Sequence, residues 1–151
     1  MPKRKKLRVV FDTNVVIRFF ISRYRNRTSL NRHIFELWLR GRRLELIVSA
    51  EIVKEYLEIM KEVIGMPEAS TKRWERRFLG RGTDVVSPRK RIRLSRDPDD
   101  NVFLEAAATG RADFLISNDR DLLDISEADK RKLKFQIVTP KEFVAQWENL
   151  S

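Results

Sequence analysis

Leu7-Arg8-Val9-Val10-Phe11-Asp12-Thr13-Asn14 is a short β-rich run that ends on an acid. Its apolar part reads as a buried strand, and the residues behind it lead toward a helix. Three further acids or acid clusters stand at comparable places. They are Glu55 within an apolar helix, the run Asp97-Pro98-Asp99-Asp100-Asn101, and Ser117-Asn118-Asp119-Arg120-Asp121 behind another apolar strand. In a chain of net charge +10, carboxylates belong near positive charges. Uncompensated carboxylates meeting at one point would instead hold a divalent cation.

On either side of that run the chain alternates short apolar strands with helical patterns. Strands are expected at 7–11, 44–48, 114–117 and 135–139, with a short one at Val85-Val86. Helices are expected at 14–24, 29–41, 50–64, 69–79, 100–109 and from Pro140 to about Glu148, with a turn or short helix over 121–132. Ser49 fits an N-cap, Gly41 a helix stop and Pro140 a first helical residue. This alternation implies an α/β fold with a parallel sheet covered on both faces. In such sheets ligands bind beyond the carboxyl ends of the strands, where Asp12 and Asp119 fall. Glu55 borders the stripe of Ile52, Val53, Tyr56, Leu57, Ile59, Met60 and Val63, where a carboxylate is costly unless paired or metal-bound.

Composition narrows the chemistry. The 151 residues, 42% hydrophobic and 36% charged, suit a single domain with a core, over 7–151 behind a basic tail at 1–6. With no cysteine and one histidine, His33, thiolate and multi-histidine zinc sites are excluded. Any metal must sit among oxygens, which points to one or two ions of Mg²⁺ or Mn²⁺. No apolar run approaches a membrane span and no secretory signal follows the basic start, so a cytoplasmic protein is expected. Charge is segregated: residues 1–43 and 72–96 are strongly basic, whereas 44–71 and 97–151 are net acidic. A basic face beside an acidic pocket suits a polyanion such as nucleic acid; a charge-rich solvated surface is the plainer alternative.

Taken one at a time, the acids have ordinary explanations. Asp12 could open a turn, Glu55 could join a rim salt bridge, and Asp97, Asp99, Asp100, Asp119 and Asp121 could be turn or cap residues. Taken in order, Phe11-Asp12-Thr13-Asn14, then Ser49 to Glu55, then Asp97 to Leu104, then Ala112 to Leu123 resemble PIN-domain ribonucleases. The likeness is strongest to the toxin (VapC-like) component of prokaryotic toxin–antitoxin modules, and it covers roughly residues 7–147. It implies a three-layer α/β/α sandwich with a central parallel sheet. Asp12, Glu55, Asp100 and Asp119 match the family's catalytic and metal-binding acids. Asp97 and Asp121 match auxiliary acids, and Asn14 and Ser117 match supporting polar residues. The resemblance further implies an Mg²⁺- or Mn²⁺-dependent endoribonuclease leaving 5′-phosphate and 3′-hydroxyl ends, a homodimer and an antitoxin partner.

RNA would lie over Arg18, Arg23, Arg25, Arg27, Arg42 and Arg43 from the first basic block and Arg89, Lys90, Arg91 and Arg93 from the second, with Tyr24 placed to stack a base. Trp38, Trp74 and Trp147 fit the core better than a base platform. Two other readings remain open on the residues. One is a non-catalytic RNA-binding module, which would not need the acids; the other is a structure-specific DNA nuclease, which shares the acidic-site chemistry.

Overall fold

A computed structural model describes residues 6–41 and 43–150. Most of the basic tail and Arg42 lie outside the described residues. Five strands, β1 (Leu7–Phe11), β2 (Leu44–Val48), β3 (Thr83–Val85), β4 (Phe114–Ile116) and β5 (Gln136–Val138), form one sheet in the order β3-β2-β1-β4-β5. Every pairing is parallel, with Val9 opposite both Leu46 and Phe114, and Ile116 opposite Val138. The helices are α1 (Thr13–Tyr24), α2 (Leu30–Leu39), α3 (Ala50–Glu62), α4 (Glu68–Phe78), α5 (Asn101–Thr109), α6 (Arg120–Leu123), α7 (Glu127–Lys130) and α8 (Pro140–Leu150), with a 3₁₀ turn at Pro98–Asp100. The expected α/β architecture with an all-parallel sheet is therefore present.

Topology explains the layers. The first two crossovers run one way along the sheet and the next two run back, so right-handed connections put their helices on opposite faces. The helix α8 packs on α2 and on β4 and β5. Between β1 and β4 the direction of winding reverses, and a crevice opens there at the carboxyl ends of the strands.

The ends of the elements follow local chemistry. Ser29 and Ser49 cap α2 and α3 by accepting from Arg32 N–H and Ile52 N–H. Gly41 takes the left-handed φ of +66° that stops α2. The short strand expected at Val85-Val86 begins earlier, at Thr83, where Leu46 pairs with it. The region 121–132 resolves into two one-turn helices, α6 and α7, because Asp119 and Ser126 each cap a new start.

The core fixes the sheet under the site. Val9, Val10, Phe11, Leu46, Ile47, Val48, Leu115 and Ile116 are fully buried. On one side Phe11, Phe19, Phe35, Trp38, Trp74 and Phe78 form an aromatic cluster, with Phe19 stacked on Phe35 at 4.0 Å between ring centroids. At the amino ends of the strands, Arg8 ties Glu45 on β2, Asp84 on β3 and the Gly110 carbonyl behind α5 to β1.

Candidate active site

Asp12 follows β1 directly and occupies the N-cap position of α1, yet its side chain caps nothing. Its Oδ2 accepts from the Ser117 hydroxyl at 2.6 Å, and that hydroxyl in turn accepts from the Asp119 N–H at 2.8 Å. The chain just past β1 is thus stitched side chain to side chain to the chain just past β4. Asp12 is 3% exposed and Ser117 is fully buried. Burial raises the Asp12 carboxyl to about 6, helped by the charges of Asp119 and Glu55 and opposed by the Ser117 and Thr13 hydrogen bonds.

Glu55 arrives from α3. The Tyr56 hydroxyl, buried beside it, donates to the Phe11 carbonyl and pins α3 against the end of β1. The half-buried Glu55 carboxylate accepts from the Thr13 hydroxyl. Burial again raises its pKa, with the charges of Asp99, Glu58 and Asp97 adding to the effect.

The third group lies at the head of α5. Asp100 is 7% exposed and is the N-cap of α5, again without a capping side-chain bond. Its Oδ2 accepts from Ser95 Oγ at 3.4 Å, and Asn101 Oδ1 accepts from Ser95 N–H at 3.0 Å, so a short side-chain-bonded loop presents the acid. Burial, a hydrogen bond to Asp119 and the charges of Asp119, Asp12 and Asp97 push the Asp100 carboxyl up to about 8. Asp97, Asp100 and Asp121 each offer a carboxylate oxygen within 4.8 Å of the others. Asp97 also caps the 3₁₀ turn through Asp99 N–H, and Asp119 caps α6 through Asp121 N–H. The exposed Arg96 reaches Asp121 at 3.1 Å and Asp124 at 3.9 Å.

The six acids matched to the family, Asp12, Glu55, Asp97, Asp100, Asp119 and Asp121, therefore gather in one neighbourhood, with Asp97, Asp100 and Asp121 the tightest group. Among the described residues, Asp12, Glu55, Asp100 and Asp119 form no ion pair. A divalent cation fits this chemistry: the donors are all carboxylate oxygens, and burial together with neighbouring carboxylates raises Asp12 and Asp100, a cost that a bound cation would relieve. His33 is exposed on α2, away from any such role.

Four residues at the site carried no clear signal in the sequence. Thr13, rather than the exposed Asn14, touches Glu55. Ser95 holds the Asp100 loop, Arg96 neutralises Asp121, and Asn118 donates to the buried Asn31 at 3.1 Å. Among the expected cationic contacts, Arg18, Arg23, Arg25, Arg27, Arg89, Lys90, Arg91 and Arg93 are exposed. Arg43 is half-buried, with its guanidinium 5.6 Å from the centre of the Trp147 ring. Tyr24 is 91% exposed, while Trp38 is fully buried in the core.

A five-stranded parallel sheet, reversing its winding over a cluster of carboxylates, defines the PIN class of nuclease-type folds. The PIN domain family matches residues 8–121, and the chain belongs to that family. It is also 28% identical to an uncharacterized protein of Methanocaldococcus jannaschii, over 95% of this chain and 93% of the relative. Membership in this family makes metal-dependent nuclease chemistry the general expectation for the acidic cluster.

Proposed function

We propose that this protein is an Mg²⁺- or Mn²⁺-dependent endoribonuclease, and that Asp12, Glu55, Asp100 and Asp119 are its catalytic acids. The observation that carries the reading is the carboxylate cluster beside the β1–β4 crevice, in which Asp12, Glu55, Asp100 and Asp119 form no ion pair among the described residues, with the exposed Arg91 and Arg93 lining the cavity that ends at the Asp100 loop. A divalent cation bound there would neutralise the scissile phosphate and lower the pKa of a water.

The chain's own residues supply the rest. Ser117 holds one Asp12 oxygen and leaves the other for the crevice. Asp100 and Asp119, already in contact, form the opposite wall, and Asp97 and Asp121 extend it. Glu55, at the crevice edge on α3, orients the attacking water and takes its proton. Attack at phosphorus breaks the P–O3′ bond; the upstream fragment leaves with its 3′-oxygen, which takes up a proton to become a hydroxyl, and the downstream fragment keeps the phosphate on its 5′ end. Asn14, exposed one residue beyond Thr13, is kept in this reading as a supporting polar residue.

In this reading 7–151 is one nuclease domain, cytoplasmic and homodimeric, serving as the toxin of a toxin–antitoxin pair and restrained by an antitoxin protein. Among the described residues no helix is long and apolar enough to cross a membrane. Labelled single-stranded RNA and matched DNA, incubated with Mg²⁺, Mn²⁺ or EDTA, test the proposal. RNA cut only with metal, giving 5′-phosphate ends, supports it. DNA cut in preference to RNA, or cleavage that survives EDTA, overturns it.

A further inference from the structure

The irregular segment between β3 and the 3₁₀ turn crosses over α5 and is tied to it by Ile92 N–H, which donates to Glu105 Oε2 at 2.9 Å. Behind this strap lies a cavity of about 500 Å³, within the roughly 300–1,000 Å³ of ligand-sized sites. Its floor is apolar, made by Ile92, Ala108, Leu133 and Phe135. Its rim carries the exposed cations Arg89, Lys90, Arg91, Lys132 and Lys134. Among the described residues Glu105 is the one acid lining it, and one of its oxygens is already engaged by the strap.

Two further cavities, of about 430 and 190 Å³, follow the same strap and share Arg91 and Glu105 with the first. Glu51 borders both. The larger of them ends at Ser95, Pro98 and Asn101, the residues that present Asp100. The cavities thus form one track from the carboxylates to the basic pocket.

We propose that this distal pocket binds a nucleotide of the substrate strand, several residues away from the scissile phosphate. The base would pack on the apolar floor, and Arg89, Lys132 and Lys134 would hold the flanking phosphates. A polymer bound at the carboxylates runs along the track, and the five cations match a polyanion. Both features favour the substrate strand over an acidic peptide as the occupant. The inference rests on the ribonuclease reading, and it adds Lys132, Lys134 and the α5 face to the nucleic-acid contacts.

Fluorescence anisotropy in EDTA, with a labelled single-stranded RNA of twelve or so nucleotides, separates binding from cleavage. Two variants are compared with the wild type: Lys132→Glu/Lys134→Glu, which reverses the rim, and Ala108→Trp, which fills the pocket from an exposed helix position. Lys61→Glu/Lys72→Glu, exposed on α3 and α4, controls for net charge. Both pocket variants are expected to bind about tenfold or more weakly. The rim variant should also lose about 1.4 from its salt slope, the share of two phosphates. Pocket variants that bind like the wild type, while the wild type cuts RNA, overturn the subsite alone. A wild type that neither binds nor cuts RNA overturns the subsite and the ribonuclease reading together. Unchanged RNA affinity with lost binding of labelled poly-glutamate would assign the pocket to an acidic peptide and also overturn the subsite.

Discussion

Asp12 heads a helix without capping it, and this sets it apart from Asp97 and Asp119, which both cap and face the cluster. Among the described residues its one side-chain hydrogen-bond partner is Ser117, a fully buried hydroxyl that orients a buried acid. Ser117→Ala is expected to weaken metal affinity and cleavage by about 10–100-fold, as loss of an orienting partner does, and a metal titration of the cleavage rate checks it. The raised carboxyls make a second prediction. Asp12 and Asp100 rise from 3.8 to about 6 and about 8, so the folded state holds protons that the unfolded chain releases above about pH 4. Stability in EDTA should therefore be highest near pH 4–5 and fall as pH rises toward 8. Thermal melts should also show Mg²⁺ raising Tm more at about pH 8 than at about pH 5; a metal shift that shrinks with rising pH contradicts this.

Strand ends and stripe edges made most of the site legible at the level of elements. The run ending at Phe11 and the strand over Phe114–Ile116 placed Asp12 and Asp119 beside one crevice, and the apolar stripe of α3 placed Glu55 on its rim. What could not be read was rotation and loop geometry. The first helix begins at Thr13, one residue before the expected 14, and successive helical residues point about 100° apart, so with Thr13 on Glu55 its neighbour Asn14 is exposed. The approach of Asp97 and Asp121 to Asp100 depends on the Ser95–Asn101 and Ser95–Asp100 bonds, which no periodicity encodes. The position of α5 is itself fixed by close packing. A Cβ at Gly110 would lie 2.7 Å from Ile47 Cγ2, in the middle of β2. Gly110→Ala should cost about 1–3 kcal/mol in urea unfolding, because helix and strand must part, and should lower activity by displacing Asp100. Wild-type stability and activity together would show that α5 does not need that fit.

Across the whole molecule, reversed winding puts the acids in a crevice between β1 and β4, while Arg18 and Arg23 are exposed on α1 and Arg89, Lys90 and Arg91 line the cavity beside α5. The alternation of strands and helices carried this architecture, since an all-parallel sheet with short connections leaves few topologies. The order of strands was not legible, because nothing local says that the chain returns past β1 to lay down β4. A basic surface that binds RNA through its phosphates should lose affinity steeply with salt. Four contacted phosphates give roughly a 50-fold loss between about 50 and 200 mM, measurable in EDTA without cleavage, and salt-independent binding would argue against a phosphate track.

The central claim is that the carboxylates act through a divalent cation on a phosphodiester. Its most direct measurement is cleavage of single-stranded RNA in Mg²⁺ and Mn²⁺ by the wild type, Asp12→Asn and Asp119→Asn, with folding checked by circular dichroism. Metal-dependent cleavage by the wild type and a loss of about 100-fold or more in both folded variants is the expected result. Cleavage by Asp12→Asn at the wild-type rate would contradict it.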